Sequence, residues 1–166
     1  MHDVDAAMFQ WRNEYPDLDI LPMSIIGRLA QFEAVARAAI EGPLESAGLR
    51  RGEFDVLATL RRSGEPFALT PATLADQLLI TRAGLTSRLD RLESAELITR
   101  TPDPTDGRGK RVTLTEAGRA LIERLLPGHV ERVRGMLAPL SDEDLRSFDS
   151  LLRSLTALPS SGDEDR

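Results

Sequence analysis

The chain has no cysteine among its 166 residues. Disulfides, thiolate metal sites and thiol redox sensing are thereby excluded, and the compartment is left open. Aromatic residues make up only 4%, with one Trp and one Tyr. Histidine occurs twice, at His2 and His129. Neither stands at an HxxxH, HExxH or carboxylate spacing that would hold zinc. No GxSxG, Walker or dinucleotide-binding loop is present, and the carboxylates are scattered along polar helix faces. No enzyme, metal or cofactor is expected. No apolar run is long enough to cross a bilayer. The opening MHDVDAAMFQWRNEYPD lacks the basic-then-apolar order of a signal peptide, so the expected location is the cytoplasm.

What is present is a globular composition, 41% hydrophobic, with a net charge of −6. That balance looks unsuited to nucleic acid, but the distribution of charge decides such matters. Between Leu74 and Thr115 cations and carboxylates nearly balance, and Arg108, Lys110 and Arg111 cluster after a turn. The length suits one domain with a sizeable core.

Hydrophobic spacing predicts mainly helices. A short one is expected from Asp3 to Glu14, and a long one from Pro22 to a stop at Gly42-Pro43, with Ile25, Leu29, Phe32, Ala36 and Ile40 on one face. A third should run from Gly52 to Arg62, ended by Ser63-Gly64. Thr70-Pro71 is a cap followed by proline at the first helical position. Leu74, Ala75 and Leu78 form the inward stripe of that fourth helix. Leu79-Ile80 makes a tight turn, and Thr81 caps a fifth helix whose Leu85, Leu89 and Leu92 face inward. Leu97 to Thr101 and Arg111 to Thr115 alternate as two strands around the turn-rich PDPTDGRGK. A long helix from Glu116 past Leu137 should kink or break at Pro127-Gly128. Ser141 to Asp144 reads as a capping box for a last helix ending near Leu155.

The order helix, turn, helix, charged hairpin is a winged helix-turn-helix, able to place one helix in a DNA major groove and a basic loop in the adjacent minor groove. Thr81, Arg82, Thr86 and Ser87 stand in the N-terminal half of the outward face. Arginine can bond guanine edges, and short hydroxyls reach bases or phosphates. Arg91 on the same helix and Lys110 after the hairpin tip complete the expected contacts. Arg108, between Gly107 and Gly109, is placed to enter a narrow minor groove. An amphipathic surface helix and a solvated basic turn are the plainer readings of the same residues.

The runs EFDVLATL, TLADQLLITRAGLTSRLDRLESAELITR and DPTDGRGKRVTLTEAG resemble the multiple-antibiotic-resistance regulator (MarR) family, closely over Gly48 to Gly118 and loosely in the flanks. Many members carry a second basic residue where this chain has Gly107. The resemblance implies a homodimeric transcription factor, usually a repressor, released from a pseudo-palindromic operator by a small anionic or aromatic ligand. Its terminal helices would interleave between subunits. WRNEYPDLD, Asp55 and Arg88 further resemble the urate-responsive, PecS-like branch. There a Trp, an Asp and an Arg surround an anionic purine, at places matched here by Trp11, Asp55 and Arg88. Arg88 edges the buried face of its helix and needs a partner, for which Asp55 is the candidate. Ser63, eight residues after Asp55, is a further polar contact. Against these stand a Trp11 that only anchors a dimer core, an Asp55 beside Arg51 or Arg62, and an Arg88 on phosphate.

The expectation is therefore a mainly α, winged helix-turn-helix protein with a two-stranded wing. Residues 1–42 are the N-terminal dimer region, 49–118 the DNA-binding lobe, 119–158 the C-terminal dimerisation helices and 159–166 a tail. A winged-helix protein-interaction module without DNA binding is the alternative, which the acidic balance favours and the basic hairpin opposes.

Overall fold

The computed structural model describes residues 4–103 and 109–157. Arg108 and the rest of the wing tip, His2 and the tail from 158 onward lie outside the described residues. The elements are α1 (Val4–Glu14), α2 (Leu21–Ser46), α3 (Arg51–Arg62), β1 (Ala68–Leu69), α4 (Pro71–Leu78), α5 (Arg82–Ser94), β2 (Ile98–Pro102), β3 (Lys110–Leu114), α6 (Glu116–Leu137) and α7 (Asp142–Thr156).

Local chemistry sets most of the boundaries. The Asp19 carboxylate accepts from the Leu21 amide at the start of α2, where Pro22 sits without needing a donor. The helix does not stop at Gly42-Pro43 but runs one turn further to Ser46. Leu44 is wholly buried there, and burying a leucine is worth about 1.5–3 kcal/mol, enough to hold a last turn despite the missing proline N–H. The stop comes at Gly48, whose φ of +75° suits glycine. Thr70, Thr81 and Thr115 each cap a helix by accepting from the amide three residues on. Ser141 and Asp144 form a reciprocal capping box, and the Ser141 bonds hold the Asp144 carboxyl below its ordinary range. α6 passes through Pro127 without interruption, so the expected break is absent.

The sheet has three antiparallel strands in the order β1-β3-β2. β2 and β3 pair from Ile98 opposite Leu114 to Pro102 opposite Lys110, each strand one residue off its predicted bounds. β1 was not expected. It pairs Ala68 with Thr113 and Leu69 with Val112, and two residues leave no alternation to read. The main core joins α3, α4, α5, the sheet and α6 through Phe54, Leu57, Leu60, Leu74, Leu85, Leu89, Leu92, Val112 and Ile122. Val4, Met8 and Ile20 form a small satellite between α1 and α2. In contrast, α7 buries none of its residues. Among the described residues no helix is long and apolar enough to cross a membrane.

Candidate nucleic-acid interface

α4 and α5 are joined by three residues, Leu79 to Thr81. Leu79 takes a left-handed conformation, φ +53°, while the Ile80 amide donates to Ala75 O at 3.1 Å. Leu79 is itself 92% exposed. With Leu85, Leu89 and Leu92 locked into the core, the remaining face of α5 is turned outward.

On that face Arg82 is exposed and forms no ion pair among the described residues. It borders an opening of about 330 Å³ between the starts of α4 and α5, with Pro71, Ala72 and Thr86. The Thr81 hydroxyl oxygen accepts from the Gly84 amide at 3.2 Å. The Thr86 hydroxyl donates to Arg82 O at 3.0 Å, which leaves its methyl and both oxygen lone pairs for outside contacts. Ser87 is exposed, and its oxygen accepts from Arg91 Nη1 at 2.8 Å. Arg91 is not free: its Nε donates to the Glu53 carboxylate. Glu53 is 5% exposed and also accepts from the Arg50 amide at 2.9 Å, closing the start of α3. Nothing in the sequence singled out Glu53; its meeting with Arg91, 38 positions away, depends on how α3 and α5 pack.

The wing is fastened to α5. Arg100 of β2 donates from Nε to Glu93 at 2.9 Å and pairs through Nη2 with Asp90 at 2.8 Å. These bonds hold the Glu93 carboxyl below its ordinary range. At the outer end the Asp103 amide donates to Gly109 O at 2.9 Å, and Arg111 Nε lies 3.5 Å from the buried Asp103 carboxylate. Lys110 is exposed where β3 leaves the tip.

The four residues expected around an effector are not all together. Arg88 does not pair with Asp55: its Nη1 donates weakly to Gly52 O at 3.4 Å, and no Asp55–Arg88 ion pair forms among the described residues. Gly52 has no side chain, and the guanidinium fills the space that a Cβ there would take. Asp55 is half-buried one turn along. Burial pushes its carboxyl above the usual range, opposed by the charges of Arg51, Arg88 and His129. His129 lies over the Phe54 ring, centroids 4.6 Å apart. Burial and then Arg132 hold its imidazole below the ordinary value. Residues His129 and Arg132, on α6, were not expected here; a lone mid-helix histidine gave no signal. Ser63 is elsewhere, capping the far end of α3 by donating to Leu60 O at 2.7 Å. Trp11 tilts against Tyr15, centroids 5.6 Å apart. It makes no hydrogen bond, ion pair or ring contact with Asp55, Ser63 or Arg88 among the described residues. No group of three or more His, Asp or Glu able to hold a metal occurs among the described residues.

Known proteins share this arrangement. Residues 47–109 match the MarR family model. The chain is 42% identical over 150 residues to the HTH-type transcriptional regulator PecS of Dickeya dadantii (strain 3937), covering 90% of each chain. Its fold matches Sco3205 of Streptomyces coelicolor, a MarR family transcriptional regulator solved in complex with DNA, at 26% identity and a TM-score of 0.80 over 88% of this chain and 93% of that one. It also matches BpsR of Bordetella bronchiseptica, whose DNA binding is regulated by 6-hydroxynicotinic acid, at 25% identity and a TM-score of 0.71 over 80% and 98%. A capped helix pair carrying a three-stranded wing, together with likeness to PecS over nearly the whole chain, establishes that this protein belongs to the MarR family and resembles its PecS-like branch.

Proposed function

We propose that the protein represses transcription in the cytoplasm by binding a pseudo-palindromic operator as a homodimer, and that a small anionic or aromatic effector releases it. The observation that carries the DNA reading is the α5 face. Its three leucines are fixed in the core, while Arg82, Thr86 and Ser87 stand outward beside a wing bearing Lys110. The DNA complex of the related Streptomyces regulator supports carrying this role over to Thr81, Arg82, Thr86, Ser87 and Lys110, and to Arg108 by its place in the sequence. Arg91 enters through Ser87 rather than as a free cation.

Dimerisation is supported by apolar surface on the terminal helices. Phe9, Ile26 and Leu151 are 65%, 67% and 64% exposed, and α7 has an apolar stripe with nothing buried. A helix of that pattern needs a partner surface. Interleaved with a second copy, the stripes would set the distance between two α5 helices and therefore the half-site spacing.

For the effector, Arg51, Arg88 and His129 gather around the half-buried Asp55. An anion entering there would compete with Gly52 O for Arg88, which is part of α5, and would bias the helix between two positions. PecS-like kinship and the 6-hydroxynicotinic acid response of BpsR support an anionic ring, urate being one candidate. Trp11 and Ser63 enter this site only through their sequence positions.

The test is a mobility-shift titration of purified protein against genomic fragments at two salt concentrations, alongside sedimentation. Selective, salt-sensitive binding by a dimer is expected, with Lys110→Ala lowering the slope by about one. Binding without sequence preference, or a monomer at binding concentrations, would overturn the proposal.

A further inference from the structure

We infer that Glu53, a buried residue of α3, sets the hydrogen-bonding polarity of Ser87 on the exposed face of α5 and so selects which base edges that face accepts. The inference rests on the proposed seating of α5 in a major groove.

The connection runs through three side chains. One Glu53 oxygen is held by the Arg50 amide at 2.9 Å, and the other receives Arg91 Nε. Arg91 Nη1 then donates to Ser87 Oγ at 2.8 Å. A guanidinium has donors and no acceptor, so Ser87 must accept at that contact. Its own hydrogen is left to point elsewhere. Other hydroxyls in these helices return theirs to a carbonyl four residues back: Thr86 to Arg82 O, Ser94 to Asp90 O and Ser154 to Ser150 O. Ser87 makes no such bond among the described residues. It therefore presents an outward donor.

A donor at that place has defined complements. Purine N7, guanine O6 and thymine O4 accept from it, whereas the amino groups of adenine and cytosine do not. Glu53 matters because Arg91 alone is a long surface side chain with many rotamers to lose. Burial and the Arg50 amide immobilise the carboxylate, which in turn holds the guanidinium against Ser87. Glu53 is thus a positioning residue that touches no DNA.

The experiment selects duplexes from a random-sequence library with the full chain, then measures affinity for the best duplex and for each of its single-base variants. Ser87→Ala is expected to flatten the preference at one position per half-site by about three- to tenfold. Glu53→Gln leaves one carbonyl oxygen for the Arg50 amide and turns an amide nitrogen toward Arg91. It should flatten the same position to the same degree, and the double variant should add nothing further. Arg91→Lys, which keeps the charge but cannot bridge both partners, should do likewise and serves if Glu53→Gln does not fold.

Three results overturn the inference while leaving the DNA reading in place. One is a Glu53→Gln or Arg91→Lys profile unchanged where Ser87→Ala shifts. Another is a uniform loss at every position, which is what a purely structural role would give. The third is a Ser87→Ala profile identical to wild type. A wild-type protein that selects no sequence at all overturns the DNA reading itself, and this inference with it.

Discussion

The Arg88 guanidinium occupies the space that a side chain at Gly52 would need. A Cβ on Gly52 would lie 2.6 Å from Arg88 Cζ. The obstruction is the end of a flexible side chain rather than backbone, so α3 can accept alanine if Arg88 moves. Gly52→Ala should therefore fold and leave the thermal midpoint within a few degrees. It should also displace one of the cations around Asp55. Titrating urate, xanthine and aromatic carboxylates against Trp11 fluorescence, we expect affinity to fall about tenfold or more for whichever quenches, as for loss of a charge-assisted bond. Unaltered quenching would remove Arg88 from the effector site.

Gly118 is the opposite case. A Cβ there would stand 2.0 Å from the Leu97 carbonyl oxygen, which already accepts from the Thr115 amide at 3.1 Å. Backbone cannot swing aside as Arg88 can. Gly118→Ala must push the start of α6 off the Leu97 backbone just before β2 and strain the Thr115 cap. Overpacking of this kind costs about 1–3 kcal/mol; at the upper end, the midpoint should fall by roughly 6–12 °C. A shift below about 2 °C would mean that α6 has another way to seat.

Arg100 links the wing to α5 through Asp90 and Glu93. Both carboxylates are substantially exposed, so Arg100→Ala should change stability by only about 1 kcal/mol. Its larger expected effect is on DNA, because α5 and the wing lose their fixed relation. Affinity should drop while the dependence on salt keeps its slope, since no phosphate contact is removed. A reduced slope would instead make Arg100 a phosphate ligand.

Acid should act on α6. Burial and Arg132 depress the His129 imidazole in the folded protein, so the unfolded chain takes up its proton first as pH falls. The stability contributed by neutral His129 is present above the ordinary histidine range and is lost as pH falls through about 6.5 towards the depressed value. His129→Gln should flatten that part of the thermal midpoint against pH. Asp55 works in the reverse sense: its carboxyl is raised by burial, so its ionisation lowers stability as pH rises above the ordinary aspartate range. Asp55→Asn should raise the midpoint near neutrality and leave the histidine step in place. A histidine step that survives His129→Gln would assign it elsewhere, and His2 is the other imidazole in the chain.

The recognition lobe was legible because its signals are local. Thr70-Pro71 and Thr81 state where helices begin by chemistry that acts within three residues, and Leu85, Leu89 and Leu92 state which way α5 faces. β1 was not legible, since Ala68 and Leu69 become a strand only by meeting Val112 and Thr113. The end of α2 was misread because Gly42-Pro43 is a strong local stop that buried Leu44 overrides. In the candidate site the residue types were readable but their partners were not. Arg88 did need a partner and found the Gly52 carbonyl rather than Asp55; Arg91 was expected to face DNA and is held by Glu53. Such pairings depend on the crossing of α3 over α5, which no spacing in the sequence encodes.

The most direct test of the central claim is a hydroxyl-radical and methylation footprint of the protein on a duplex it has itself selected. The account predicts two protected major-groove segments on one face of the duplex, centred about one helical turn apart, flanked by minor-groove protection that Lys110→Ala weakens. Protection confined to one segment, or two segments on opposite faces of the duplex, would contradict the placement of α5 and of the dimer that carries it.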